Sequence, residues 1–196
     1  MNRQATIERK TNETNISITT NLDGVGKFDI TTSVPFFDHM LSQLAKHSLI
    51  DLEVKATGDI EVDYHHTVED VGISFGEAVL KALGDKRGIK RFGFASIPMN
   101  ETLAEVSLDI SGRSYIVFDA NFAKSKIGEF DVELAEEFFR AFANAANITL
   151  HIGVKSGTNL HHMVEAMFKA LAIALRSAIA IDPRVSDQIQ STKGQL

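Results

Sequence analysis

The stretch His65-His66-Thr67-Val68-Glu69 returns as His161-His162-Met163-Val164-Glu165, 96 residues later. That offset is about half the chain, so the sequence reads as a repeat of itself. The flanks agree at the same offset: Leu52-Glu53-Val54 precedes the first copy and Ile148-Thr149-Leu150 the second. A helical pattern follows each copy. Two halves with one plan, joined near residues 84–100, account for this better than two unrelated domains.

Outward from the repeat, the elements follow the same plan. Residues 14–22 alternate, with Ile16, Ile18 and Leu22 on one face of a strand. Asp23-Gly24 is a turn signal, and residues 27–32 return as a second strand. Pro35 suits the first position of a helix. Phe37, Met40, Leu41 and Leu44 then share one helical face. Residues 50–56 alternate as a strand, and residues 65–83 read as a helix stopped by Gly84. In the second half, residues 104–110 alternate, and Ser111-Gly112-Arg113 turns into a strand over 114–118. Asp131 is the expected cap of a helix carrying Leu134, Ala135, Phe138 and Phe142. Residues 148–154 form a strand, and a long helix from His161 ends before Pro183. Each half is therefore strand, strand, helix, strand, helix. The expected class is α+β: two tandem similar halves, each a mostly antiparallel sheet with two helices on one face. The halves run 1–90 and 91–182, and a polar tail over 183–196 has no core pattern.

The chain has 196 residues, 44% hydrophobic and 23% charged, the proportions of an ordinary globular protein. Disordered, collagenous and disulfide-scaffold classes are excluded. No apolar run approaches the roughly 18 residues of a membrane span. The opening MNRQATIERK lacks the apolar core of a signal peptide. Without cysteine there is no disulfide, thiolate nucleophile or zinc–sulfur site. Twenty basic against 26 acidic residues argue against nucleic acid as a partner. The expectation is a soluble cytoplasmic protein.

Six of the seven histidines lie in or near the repeats: His39, His65, His66, His151, His161 and His162. On a helix the first histidine of each motif and its glutamate are i and i+4 and share a face. The second histidine is rotated about 100° away. Two such units in opposed orientation would build two equivalent metal sites, each taking His and Glu from one copy and the second His from the other. Imidazole and carboxylate without sulfur suit manganese, iron, nickel or zinc. A lone histidine pair on a surface helix is usually a solvated face. Two copies at matched positions need another cause. His47 ends an amphipathic helix, where histidine favours the C-terminal dipole, and is read as structural.

Arg91, Arg113, Lys169 and Lys193 lie on turns, on the second motif helix and in the tail. Singly each is a solvated charge; together, in an acidic protein, they suit an anionic substrate, with phosphate the leading candidate. Glu13 opens the first strand, where a carboxylate has no packing or capping role.

These residues resemble the signature blocks of the imidazoleglycerol-phosphate dehydratase family. The blocks are Glu13-Thr14, Phe36-Phe37-Asp38-His39-Met40-Leu41, Asp63-Tyr64-His65-His66-Thr67-Val68-Glu69-Asp70, Asp109-Ile110-Ser111-Gly112-Arg113, Leu150-His151-Ile152, the second motif through Ala170, and Ser191-Thr192-Lys193-Gly194. They run in order from Arg9 to Gly194. Tyr64 and Asn100 stand where many members carry Asp. The resemblance implies a hydro-lyase of histidine biosynthesis, with two Mn(2+) per active site, that converts D-erythro-imidazoleglycerol phosphate to imidazole acetol phosphate. It implies metal ligands at His39, His65, His66, Glu69, His151, His161, His162 and Glu165. It implies substrate contacts at Glu13, Gln43, Arg91, Arg113, Lys169, Ser191 and Lys193, and a homo-oligomeric shell of 24 subunits built from trimers with interfacial active sites. The tail is expected to close over the substrate phosphate.

The chemistry accounts for a duplicated ligand set. The carbinol C–H has no adjacent carbonyl, so an ordinary base could not remove it. With both ring nitrogens metal-bound, the substrate imidazole can become imidazolate and expel the neighbouring hydroxyl to give a diazafulvene; the next C–H is then acidic, and its loss gives an enol that becomes the ketone. Glu13, with Glu69 and Glu165 beside the metals, is the expected acid–base group. Pseudo-symmetry predicts one metal site from His65, Glu69, His162 and His151, and the other from His161, Glu165, His66 and His39. The alternatives are a dimetal hydrolase and a non-catalytic metal-assembled protein.

Overall fold

The computed structural model describes residues 3–122 and 125–196; the first two residues of the opening segment lie outside these. The first half contains β1 (Gln4–Lys10), β2 (Thr14–Asn21), β3 (Phe28–Thr31), α1 (Pro35–Ser48), β4 (Asp51–Gly58) and α2 (His65–Leu83). The second contains β5 (Phe92–Met99), β6 (Thr102–Asp109), β7 (Tyr115–Asp119), the two-residue strands β8 (Lys126–Ile127) and β9 (Phe130–Asp131), α3 (Leu134–Ala145), β10 (Thr149–Ser156) and α4 (Leu160–Ile179). A short 3-10 turn, Pro183–Val185, opens the tail.

The halves make four-stranded sheets of matching order, β1-β2-β4-β3 and β5-β6-β10-β7. In each, two neighbouring pairs are antiparallel, and the third, β3–β4 or β7–β10, is parallel. The α+β class and the repeat hold.

Four strands escaped the reading of alternation: the two-residue β8 and β9, too short to show it, and two strands of the four-stranded sheets, for different reasons. β1 is an edge strand that buries only Ala5, so its polar sequence shows no apolar face. β5 carries exposed Phe92 and Phe94 opposite buried Gly93 and Ala95, which inverts the usual contrast. Asp131 does not cap α3: it lies in β9, and Glu133 precedes the helix without a side-chain cap. The flanking match also shifts. Thr20 pairs Leu52 as Leu108 pairs Leu150, so β4 and β10 correspond at 98 residues rather than 96. The first two strands correspond at 88. The difference is the extra segment that holds β8 and β9.

Inner faces of the sheets are apolar. Ile16, Ile18, Leu52 and Val54 on one sheet, and Ala104, Val106, Leu150 and Ile152 on the other, are buried. Helices α1 and α2 cover the first sheet, α3 and α4 the second, and α1 meets α4 while α2 meets α3. The four helices thus lie between the sheets. Phe37 of α1, Phe138 and Phe139 of α3, and Phe168 of α4 stack there with ring centroids 4.8–5.5 Å apart, and Phe75 of α2 lies 5.1 Å from Phe142. This shared aromatic core ties the halves into one unit; each large buried ring contributes roughly 1.5–3 kcal/mol. Where α2 crosses α3 the backbones pass close together. A Cβ on Gly76 would stand 2.7 Å from both the Ala145 methyl and the Phe142 carbonyl oxygen.

Candidate metal centre and anion site

The two motif helices begin differently: Asn159 caps α4 with its side chain, whereas Tyr64, at the same place before α2, does not. At α4, Asn159 Oδ1 accepts the His162 backbone N–H at 3.2 Å. At α2, Asp63 Oδ1 accepts that of His65 at 2.7 Å. Both histidine pairs therefore sit on a first helical turn. His161 and His162 diverge as the periodicity requires, their rings 78° apart, and those of His65 and His66 are perpendicular.

Among the described residues, one cluster of ring nitrogens and carboxylate oxygens is tight enough to hold a metal: His39, His161 and Glu165, whose ligand atoms lie within 4.8 Å of one another. Glu165 Oε2 is 3.0 Å from His161 Nε2 and 3.3 Å from His39 Nε2. Its other oxygen accepts from Lys169 Nζ at 2.6 Å. Burial works to raise the Glu165 pKa, but hydrogen bonds from Lys169, His161 and His39 outweigh it and hold the carboxyl below its ordinary value. His39 arrives because α1 packs along α4. Asp38, beside it, accepts from Thr32 N–H at 2.8 Å and Thr32 Oγ1 at 2.6 Å, which fixes the start of α1. Phe36 meets the His161 ring edge-on at 5.2 Å.

On α2, the first histidine and glutamate of the other motif lie further apart, His65 Nε2 3.8 Å from Glu69 Oε2. The second histidines are turned toward acids that sequence reasoning did not single out. His66 Nδ1 contacts Asp59 at 3.1 Å, and this hydrogen bond raises the His66 pKa. His162 Nδ1 donates to Glu101 Oε2 at 2.9 Å. A signal for Glu101 was present, since Glu101-Thr102 echoes Glu13-Thr14. Glu13 Oε2 lies 3.8 Å from His66 Nδ1.

His151 stands apart. It falls between buried Leu150 and Ile152, in a cross-strand row with Ser107 and Val117, on the face of the second sheet away from the helices. Phe94, next in that row, is 61% exposed, and Phe92 and Tyr115 are exposed likewise. Large exposed apolar patches on a folded chain mark surfaces that bind another protein.

Gln43 sits one turn after His39, and His47 Nε2 contacts its Oε1 at 3.3 Å. Burial lowers the His47 pKa, and neighbouring Lys169 adds to this. Arg91 grips Asp109 with two contacts of 2.6 and 2.9 Å and donates to the Gln190 carbonyl at 2.7 Å. Gly88 N–H donates to the Gln188 carbonyl at 2.9 Å, so the tail is tied to the body as far as Gln190. Beyond it, Ser191 Oγ accepts the Lys193 N–H at 3.2 Å. The chain ends against Gly112: a Cβ there would stand 2.4 Å from the Leu196 carbonyl carbon. The tail carrying Ser191 and Lys193 is thereby brought beside Arg91 and the turn that bears Arg113.

The family model described as imidazoleglycerol-phosphate dehydratase matches residues 32–175. The chain belongs to the imidazoleglycerol-phosphate dehydratase family. It is a hydro-lyase, and its reaction belongs to histidine biosynthesis. An imidazoleglycerol-phosphate dehydratase of Granulibacter bethesdensis is 56% identical over 196 residues, covering all of both chains. That of Brucella suis is 56% identical over 194 residues, covering 99% of this chain and 96% of its own. The crystal structure of the Staphylococcus aureus imidazoleglycerol-phosphate dehydratase superposes with a TM-score of 0.83 at 41% identity, covering 91% of this chain and 99% of that one. The Pyrococcus furiosus enzyme, solved in complex with (S)-C348, also gives 0.83, at 38% identity, covering 97% of this chain and 100% of that one. No helix among the described residues is long and apolar enough to cross a membrane.

Proposed function

We propose that this dehydratase is a cytoplasmic dimanganese enzyme acting on D-erythro-imidazoleglycerol phosphate, with active sites shared between subunits. The observation that carries the reading is the His39–His161–Glu165 cluster, which joins helices of opposite halves. Two imidazoles and one carboxylate suit Mn(2+), and the lowered Glu165 pKa keeps that carboxyl in the ligating form. His66 completes this set, and His65, Glu69, His162 and His151 form the other. Two ions held by these residues would supply Lewis acidity to the substrate imidazole, which would favour loss of the neighbouring hydroxyl by way of a diazafulvene.

The chain's own groups do the rest. Lys169 neutralises Glu165 on the side away from its histidine neighbours. Glu13 moves protons at the carbinol carbons, a role that its 54% exposure and its distance of 3.8 Å from His66 support. Gln43, one turn after His39, is a further substrate contact. Arg91, Arg113, Ser191 and Lys193 bind the phosphate, and closure of the tail excludes water. His151 lies on an outward face with exposed aromatic residues, which supports a ligand contributed across a subunit interface of a homo-oligomer, a 24-subunit shell built from trimers. Neither nucleic acid nor membrane is a partner.

The direct test is ketone formation from imidazoleglycerol phosphate by purified protein, with and without Mn(2+) after chelation. Product formed at the same rate by metal-stripped protein would overturn the dimetal reading.

A further inference from the structure

The halves bring an equivalent glutamate to each second histidine and use it differently. Glu13 closes the β1–β2 hairpin and Glu101 the β5–β6 hairpin, at corresponding positions in identical registers. Glu101 Oε2 accepts from His162 Nδ1 at 2.9 Å. Its Oε1 accepts the backbone N–H of Asn159 at 2.9 Å and of Thr158 at 3.3 Å, just ahead of α4. Both oxygens are thus engaged, and the ring is tied to the start of the helix that carries it. In the first half Asp59 takes the Nδ1 of His66 at 3.1 Å, and Glu13 stays at 3.8 Å, more than half exposed.

A neutral imidazole that donates through Nδ1 carries its free lone pair on Nε2. The partner of Nδ1 therefore sets which nitrogen faces a metal and where it points. We infer that Glu101 is the positioning residue of His162, holding the ring with Nδ1–H toward the hairpin and Nε2 toward the metal. Asp59 performs this task for His66, which releases the pseudo-equivalent Glu13 for the substrate. The inference rests on the reading of His162 as a metal ligand.

Glu101→Gln tests it, because an amide cannot accept on both sides: either His162 or the α4 backbone then faces an NH2 group. Mn(2+) is titrated calorimetrically into metal-stripped, full-length protein. The expected result is a loss of about 10–100-fold in affinity at one site. His162→Ala should lose that site, and adding Glu101→Gln to His162→Ala should change nothing further. Wild-type affinity in Glu101→Gln overturns the inference. So does a loss of equal size at the remaining site in the His162→Ala background, because the glutamate would then act through the helix start and not through His162. Should the glutamine variant fail to fold, Glu101→Asp, too short to span both partners, is scored the same way. Normal metal binding by His162→Ala would instead remove the ligand assignment beneath the inference.

Discussion

His39 Nε2 lies 3.3 Å from Glu165 Oε2, although 126 residues separate them. The contact bridges the two halves through the packing of α1 on α4. Replacing His39 by Ala should therefore cost one metal and leave the His65–Glu69 site loaded. Elemental analysis should read about one Mn(2+) per subunit in place of about two, with activity falling by at least the ~10–100-fold typical of an outer-sphere partner. A metal-bound structure with His65 and Glu69 on different ions would reject the ligand scheme.

His151 projects from the sheet face opposite the helices, so its partners should come from another copy. His151→Ala and His65→Ala should each be inactive as pure oligomers. Dissociated, mixed in equal amounts and reassembled, they should regain about a quarter of wild-type activity, the random-mixing share for a site built by two chains. No recovery after verified exchange of subunits would place His151 in the site of its own chain.

If metals sit where subunits meet, their binding energy is also assembly energy. Chelation should then reduce the particle mass seen by light scattering at fixed protein concentration, and added Mn(2+) should restore it. An unchanged mass after complete metal removal counts against interfacial sites.

The tail is tied down through Gln190, and the remaining residues make only a turn of their own against Gly112. Deleting residues 191–196 should spare folding, metal content and assembly while lowering both substrate affinity and turnover. Lys193→Ala alone should cost about 1.5–3 kcal/mol in kcat/KM, the range for a hydrogen bond to a charged group. Near-normal kinetics of the truncated enzyme at low substrate would mean that the phosphate is held elsewhere.

Gly76 is a test of the core. Any side chain there meets the Ala145 methyl and the Phe142 carbonyl at 2.7 Å, and a helix backbone cannot yield as a flexible side chain does. Gly76→Val should destabilise by about 1–3 kcal/mol or more, as overpacking does. Urea unfolding measures it; a variant of wild-type stability would mean that α2 and α3 separate freely.

The local content of this protein was legible from its residues. The motif spacing placed His161 and Glu165 on one helical face, and Pro35 and Gly84 marked a helix start and a helix end, because periods of two and 3.6 residues and i,i+4 neighbours are written within a few turns of chain. β1 and β5 were not legible, since an edge strand or an exposed aromatic face carries no simple alternation. Nor could the repeat alone reveal that its strands correspond at 88 and 98 residues and its motifs at 96. The partner of each histidine depends on which helices cross and which hairpins end beside them. His39 with Glu165, His162 with Glu101 and His66 with Asp59 are settled by packing between segments 7 to 126 residues apart. Such pairings follow from burying the faces of four helices between two sheets, a condition that no local window of sequence contains.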